Sequence, residues 1–345
     1  MLDRAGALLG PLTTLGLGGP ARRLVVAYDE AEVVEAVRSA DGPVLVLGGG
    51  SNVVIADAGF DGTVVRIASQ GVRIRREDDG VLLEAAAGED WAGLVDRCVT
   101  DRLAGVECLA GIPGLVGATP VQNVGAYGQD VSQTVVEVRA YDRRADEVVA
   151  LTDCGFGYRW SRFKADPERW VVLAVSYRLA EDGLSMPIRY AELARALGVE
   201  VGQTVPLAEA RDAVLALRRG KGMVLDAADP DSRSAGSFFT NPLLDAQQAA
   251  DLRARLGDGP RPPEYPDGDG RVKVSAAWLI EHAGFRRGHF DGPVGISGKH
   301  TLALVNRGGA VTEDLLQVAR EVRAGVRETF GVELVPEPVL VGVSL

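Results

Sequence analysis

The chain has 345 residues, 46% of them hydrophobic, and sets 37 Lys and Arg against 48 Asp and Glu for a net charge of −11. That length predicts two or three domains, with apolar side chains enough to fill them. The acidic balance repels polyanions and speaks against nucleic-acid binding, and no apolar run reaches the roughly 18 residues of a membrane span.

At the N-terminus, Asp3 and Arg4 precede a short Ala/Leu/Gly stretch that makes a poor signal peptide, so the chain reads as cytoplasmic. Asp29, with Glu32 three residues on, caps a predicted helix whose apolar face is Val33, Val34 and Val37. A buried strand at 44–47 runs into the loop Gly48, Gly49, Gly50, Ser51, Asn52. That loop is no nicotinamide fingerprint, because it leads into Val53-Val54-Ile55 instead of a helix and Val53 stands at the third glycine position. Strands come next at 64–67, 72–75 and 81–85, with a hairpin around Asp79-Gly80, then a helix at 91–102 placing Leu94, Val95 and Cys98 on one side.

The segment 111–128 packs five glycines and two prolines into one loop carrying Gln122 and Asn123. Glycine-dense backbone exposes successive N–H groups and lets a large anion come close. One such loop is as readily a tight turn; two in one domain point to a dinucleotide. Further strands read at 135–141 and 171–179, and a boundary falls between 180 and 205. Beyond it come helices at 207–218, 244–256, 275–282 and 313–330, a strand at 303–306 and a Gly/Pro/Asp loop at 257–270. Helices and strands in mixed order predict an α+β second domain. Cys98, Cys108 and Cys154 are odd in number, lack metal-type spacing and read as buried free thiols, so no metal site is expected.

Four short stretches carry chemistry. Ser237 stands between Gly236 and Phe238-Phe239, which suits a proton donor or nucleophile, yet no G-x-S-x-G elbow or marked base accompanies it, and a packed turn serves as well. The run 158–164 crowds Arg159, Arg162 and Lys164 among aromatics, an anion clamp or a surface stretch with snorkelling stems. Arg218, Arg219 and Lys221 end a helix, a place the macrodipole favours without any ligand. Glu337 lies between Pro336 and Pro338, where backbone rigidity suits a catalytic acid, although a solvent-facing carboxylate fits too.

In order along the chain, Thr13-Thr14-Leu15, Gly18-Gly19-Pro20, the loop 48–52, the loop 111–128, the run 158–164, the stretch 236–242 and Pro336-Glu337-Pro338 resemble the UDP-N-acetylenolpyruvoylglucosamine reductase family nearly end to end. The resemblance implies an α+β fold: an FAD-binding domain of the vanillyl-alcohol-oxidase type with two α+β subdomains, plus an α+β substrate-binding domain. The first would span 1–200, with subdomains at 1–70 and 71–200 completed by 331–345, and the second 201–330. It further implies a monomer with non-covalent FAD, reduced by NADPH, that converts UDP-N-acetylglucosamine-enolpyruvate to UDP-N-acetylmuramate for peptidoglycan. By match to the family's motifs, Ser237, Glu337 and Arg159 are catalytic. Gly48, Gly49, Gly50, Ser51, Asn52, Gly111, Gly114, Gly117, Ala118, Gln122, Asn123 and Gly125 would bind the cofactor, and Tyr190, Lys221, Asn241 and Tyr265 the UDP-sugar. Gly222-Met223 and His300 depart from the residues many relatives carry. Two rival readings are a flavin oxidase that uses oxygen, which gives Ser237 no task, and a nucleotide-sugar-binding protein without catalysis, which leaves Arg159, Ser237 and Glu337 without one.

Overall fold

Local chemistry starts the helices. The Asp29 carboxylate accepts the Glu32 N–H at 2.8 Å and opens α1 (Glu30–Arg38), as their spacing predicts. Asp90 accepts the Gly93 N–H at 2.7 Å and opens α2 (Trp91–Thr100), whose Leu94, Val95 and Cys98 are buried. The structure, a computed structural model, describes residues 1–267 and 270–345. It divides into two compact units, one formed by 1–7, 21–50 and 61–224, the other by 8–20, 51–60 and 225–345.

In the first unit a four-stranded sheet runs in the order Leu2–Ala5, Ala21–Ala27, Phe60–Ile67, Val44–Leu47, with the last two parallel. A larger antiparallel sheet runs Glu147–Leu151, Val135–Asp142, Trp170–Glu181, Gly80–Ala86, Val72–Glu77. The hairpin read around Asp79-Gly80 is its edge, with Glu77 opposite Gly80. Residues 171–177 are all buried, so that strand is covered on both faces and its sequence runs apolar from Val171 to Val175 instead of alternating. The short helices α3 (Arg162–Ala165) and α4 (Ala191–Leu197) and the longer α5 (Leu207–Gly220) complete the unit. Ala210 and Val214 of α5 share one core with Leu83, Val95, Leu109 and Val175, so this unit continues past the boundary expected near 200.

The second unit holds two three-stranded sheets, Ser234–Ser237 with Ala303–Asn306 and Val294–Ile296, and Leu243–Leu244 with Val272–Val274 and Glu264–Pro266. Its helices are α6 (Ala246–Leu256), α7 (Ala276–His282) and α8 (Thr312–Phe330). Along α8, Leu315, Ala319, Val322, Val326 and Phe330 form one buried stripe. Val339–Val341 pairs in parallel with Val53–Ile55, and Leu15, Leu17 and Val54 enter the same core as α8. Mixed sheets without regular βαβ alternation make the fold α+β.

Two elements differ from the sequence reading. The helix expected from 244 starts at Ala246, because Asp245 forms a capping box with Gln248 and Leu243–Leu244 pairs as a strand. The expected loop 257–270 contains the strand Glu264–Pro266, held by pairing with Val272–Val274; Gly268 and Asp269 of that loop lie outside the described residues. The three cysteines are buried and free, and burial pushes the thiols of Cys98 and Cys108 up to about 12 and that of Cys154 up to about 11.

Candidate active site

Within the first unit the two glycine loops meet. A Cβ on Gly49 would lie 2.7 Å from Gly114 Cα, so these backbones pass at a distance only glycine permits. Gly117 is as tightly held: its N–H donates to Ala87 O at 2.9 Å, and a Cβ there would stand 2.5 Å from Ala87 Cβ. Gly114 O accepts the Trp91 N–H at 3.1 Å, which ties the second loop to the start of α2. Gly48 faces Leu115 and Ala118 at ordinary contact distance. The division between the units falls inside the first loop, leaving Gly48 to Gly50 in one and Ser51-Asn52 in the other.

Side chains lock the second loop to the run 157–164. Asn123 Nδ2 donates to Gly157 O at 2.9 Å while its Oδ1 accepts from Ser132 N, and Ser161 Oγ donates to Val121 O at 2.7 Å. Lys164 Nζ donates both to Gln122 Oε1 at 2.9 Å and to Arg159 O at 3.0 Å. Arg159 has a left-handed backbone, φ +51°, which costs energy in a residue with a side chain and persists only where neighbours fix it. Its Nη2 donates to Gly125 O at 2.8 Å, and its guanidinium lies 5.5 Å from the Tyr158 ring centre. The outcome is a cation whose position is set by the glycine loop itself.

Also in the first unit, Lys221 Nζ makes an ion pair with Glu192 at 2.7 Å and lies 5.5 Å from the Tyr127 ring centre. Tyr127 meets Tyr190 edge to face at 5.6 Å. One turn before Lys221 stands Arg218, which is only 9% exposed; its Nη2 donates to Met223 O at 2.8 Å and its Nε has no hydrogen-bond partner among the described residues. Burial pushes this guanidinium down to about 10. A Cβ on Gly111 would lie 3.6 Å from that Nε and 2.7 Å from Leu215 Cδ2.

The second unit brings together Ser237, Glu337 and Asn52. Ser237 ends a strand just after Gly236, whose φ of +73° and a register shift between Ser234 and Ser237 turn the chain outward. Phe238 and Phe239, both 1% exposed and 5.1 Å apart edge to face, anchor the chain beyond the serine. Phe238 O accepts the Glu337 N–H at 2.8 Å, and Phe239 bridges to Pro336, so Glu337 runs alongside the residue after Ser237. Asn52 joins the same ladder, its O accepting the Val339 N–H at 3.0 Å and its Nδ2 reaching Glu337 O at 3.4 Å. Asn241 Oδ1 accepts the Ala276 N–H at 2.9 Å at the start of α7, and Tyr265, 48% exposed, stands opposite Lys273 in the small sheet. Both belong to this unit, whereas Tyr190 and Lys221 belong to the other.

The residues present fit a flavin dinucleotide. Two glycine-dense loops offer backbone to a bulky anion, and the Arg218 Nε–H, orphaned among the described residues, calls for an acceptor. Sequence reasoning did not single out Tyr127, which packs between Tyr190 and Lys221, and took Arg218 only as one of the cations ending a helix. Arg218 lies on the buried stripe of α5 with Leu207, Ala210 and Val214, and that spacing of three, four and four residues was the available signal.

Comparison with known proteins agrees with this geometry. Residues 229–341 match the family described as UDP-N-acetylenolpyruvoylglucosamine reductase, C-terminal domain, and residues 21–151 match the FAD binding domain family. Over 98% of its length the chain is 62% identical to the UDP-N-acetylenolpyruvoylglucosamine reductase of Streptomyces coelicolor, covering 90% of that protein. The enzyme of the same name from Thermobifida fusca is 59% identical, with 97% of it covered. The crystal structure of the reductase from Thermus caldophilus shares the fold, with a TM-score of 0.65 at 24% identity over 99% of this chain and 100% of that one. No helix among the described residues is long and apolar enough to cross a membrane.

Proposed function

Because this chain belongs to the UDP-N-acetylenolpyruvoylglucosamine reductase family, and is an FAD oxidoreductase of peptidoglycan synthesis, we propose that it uses NADPH to turn UDP-N-acetylglucosamine-enolpyruvate into UDP-N-acetylmuramate with Arg159, Ser237 and Glu337 as its catalytic residues. When bound, FAD supplies the hydride that adds to the terminal carbon of the enol ether, and NADPH restores it. The residues that would hold it are Gly48, Gly49, Gly50, Ser51 and Asn52 of the first loop, Gly111, Gly114, Gly117, Ala118, Gln122, Asn123 and Gly125 of the second, and Arg218 beside Gly111. Tyr190, Lys221, Asn241 and Tyr265 would take the UDP-sugar.

Hydride addition builds negative charge at C2 and its carboxylate. Arg159 binds that carboxylate; support comes from its fixing to Gly125 O, since a cation placed in advance stabilises developing charge without reorganising. The Ser237 hydroxyl gives its proton to C2 and is reprotonated from water. An alcohol is a feeble acid, so its effect comes from being held within reach of a strongly basic carbon, a task suited to a serine fixed between Gly236 and two buried phenylalanines. Glu337 shares a proton during this step, because a second full negative charge beside the developing enolate would oppose it. A pH–rate profile tests this: turnover falls as the essential acid ionises, and a profile in which only ionised Glu337 supports turnover overturns it.

The observation that carries the reading is the hydrogen bond from Glu337 N–H to Phe238 O at 2.8 Å, which brings the glutamate alongside the serine's strand. Anaerobic stopped-flow on the parent and Ser237→Ala tests it. Both should bleach with NADPH, and the variant should reoxidise with the enolpyruvyl sugar about 10²- to 10⁴-fold more slowly, the usual range for removing a general acid. Equal reoxidation by both removes Ser237 from the chemistry; a parent that reoxidises only with oxygen is an oxidase.

A further inference from the structure

Lys221, proposed above as a ligand of the UDP-sugar and, as a cation, suited to its diphosphate, already has an anion. Its ammonium lies 2.7 Å from Glu192 Oε2, and the two side chains are 30% and 36% exposed. Glu192 is the second residue of α4, two positions after Tyr190, which is proposed for the same ligand and packs against Tyr127; the Tyr127 ring also lies under Lys221. The carboxylate therefore stands among the groups that would meet the diphosphate. A half-solvated ion pair is weak and exchanges partners at little cost. A diphosphate diester brings two negative charges and outcompetes a single carboxylate for the ammonium, but a carboxylate that remains close to it is repelled.

We propose that Glu192 is an affinity-determining residue, a built-in counter-ion that holds Lys221 in the absence of ligand and that the diphosphate of a nucleotide sugar must displace. It keeps the cations at the end of α5, Arg218, Arg219 and Lys221, from standing together unneutralised, and it weakens the ligand by the strength of the contact that is lost. The inference rests on the reading of Lys221 as a diphosphate ligand.

Titration calorimetry of UDP into the FAD-loaded parent, Glu192→Gln and Lys221→Met, each normalised to flavin content, separates the two. Lys221→Met raises the Kd for UDP. Glu192→Gln lowers it about three- to fivefold, the worth of one partly exposed pair, and the gain shrinks as salt is added. If Lys221→Met weakens UDP while Glu192→Gln leaves it unchanged or weaker, Glu192 merely positions the lysine and competition is overturned. If Lys221→Met leaves UDP binding unchanged, the Lys221 reading falls and takes this inference with it.

Discussion

Arg218 shows how much a side chain's surroundings add to what its sequence position says. Cations at a helix end are favoured by the macrodipole without any ligand; the structure turns this one inward with one N–H unsatisfied among the described residues. If that N–H serves the cofactor, Arg218→Met weakens FAD binding about ten- to a hundredfold, the worth of a hydrogen bond to a charged group. The apoprotein, freed of a buried orphan donor, melts at an equal or higher temperature; fluorescence titration with FAD and thermal denaturation read the two effects separately. Gly49 is the complementary case. Its loop was legible as glycine-dense backbone, but nothing local said that it would face Gly114, a partner 65 positions away. Gly49→Ala forces backbone apart instead of a flexible side chain, so the purified variant should retain its circular dichroism and lose its yellow colour.

Elements whose cause is local were legible, and those made by distant pairing were not. Asp29 and Glu32, the turn at Asp79-Gly80 and the apolar face of α2 each carry their signal within a few residues. Leu243–Leu244 and Glu264–Pro266 are too short for any alternation to register and exist because Val272–Val274 pairs with both. Removing a cap should therefore act locally: Asp90→Ala costs about 1 kcal/mol in urea unfolding, with an unchanged slope. At the end of Val135–Asp142, Arg169 contacts Asp142 at 2.6 Å and holds its carboxyl down from 3.8 to about 2, with help from the N–H groups of Arg144 and Ala145. A lowered carboxyl contributes stability above its ordinary value and loses it as pH falls from about 4 through about 2. Urea midpoints measured from pH 6 down to pH 2 should fall less steeply for Asp142→Asn than for the parent.

Over the whole molecule the chain passes between its two units five times, at 7/8, 20/21, 50/51, 60/61 and 224/225. Composition marked one boundary because it detects linkers, and none of the early crossings is linker-like: the one at 50/51 falls inside the glycine loop 48–52, between two strands. The family match at 229–341 looks like a free-standing domain, yet its core takes Leu15, Leu17 and Val54 from the N-terminal part. Thr14 Oγ1 donates to Ser234 O at 2.6 Å, Asn306 Nδ2 to Leu15 O at 2.8 Å, and Thr312 Oγ1 to Ile55 O at 2.7 Å. A fragment of residues 225–345 should show no cooperative thermal transition by calorimetry, and a sharp one would mean that these strands are accessory. The same threading bears on synthesis. Val53, Val54 and Ile55, all buried in the finished protein, leave the ribosome long before Val339–Val341, the strand that will pair with them; Asn52 and Glu337, which precede the two strands, are 285 positions apart. At about 5–20 residues per second that is a wait of roughly 15–60 s during which an apolar strand stands without its native neighbour and is open to wrong pairing.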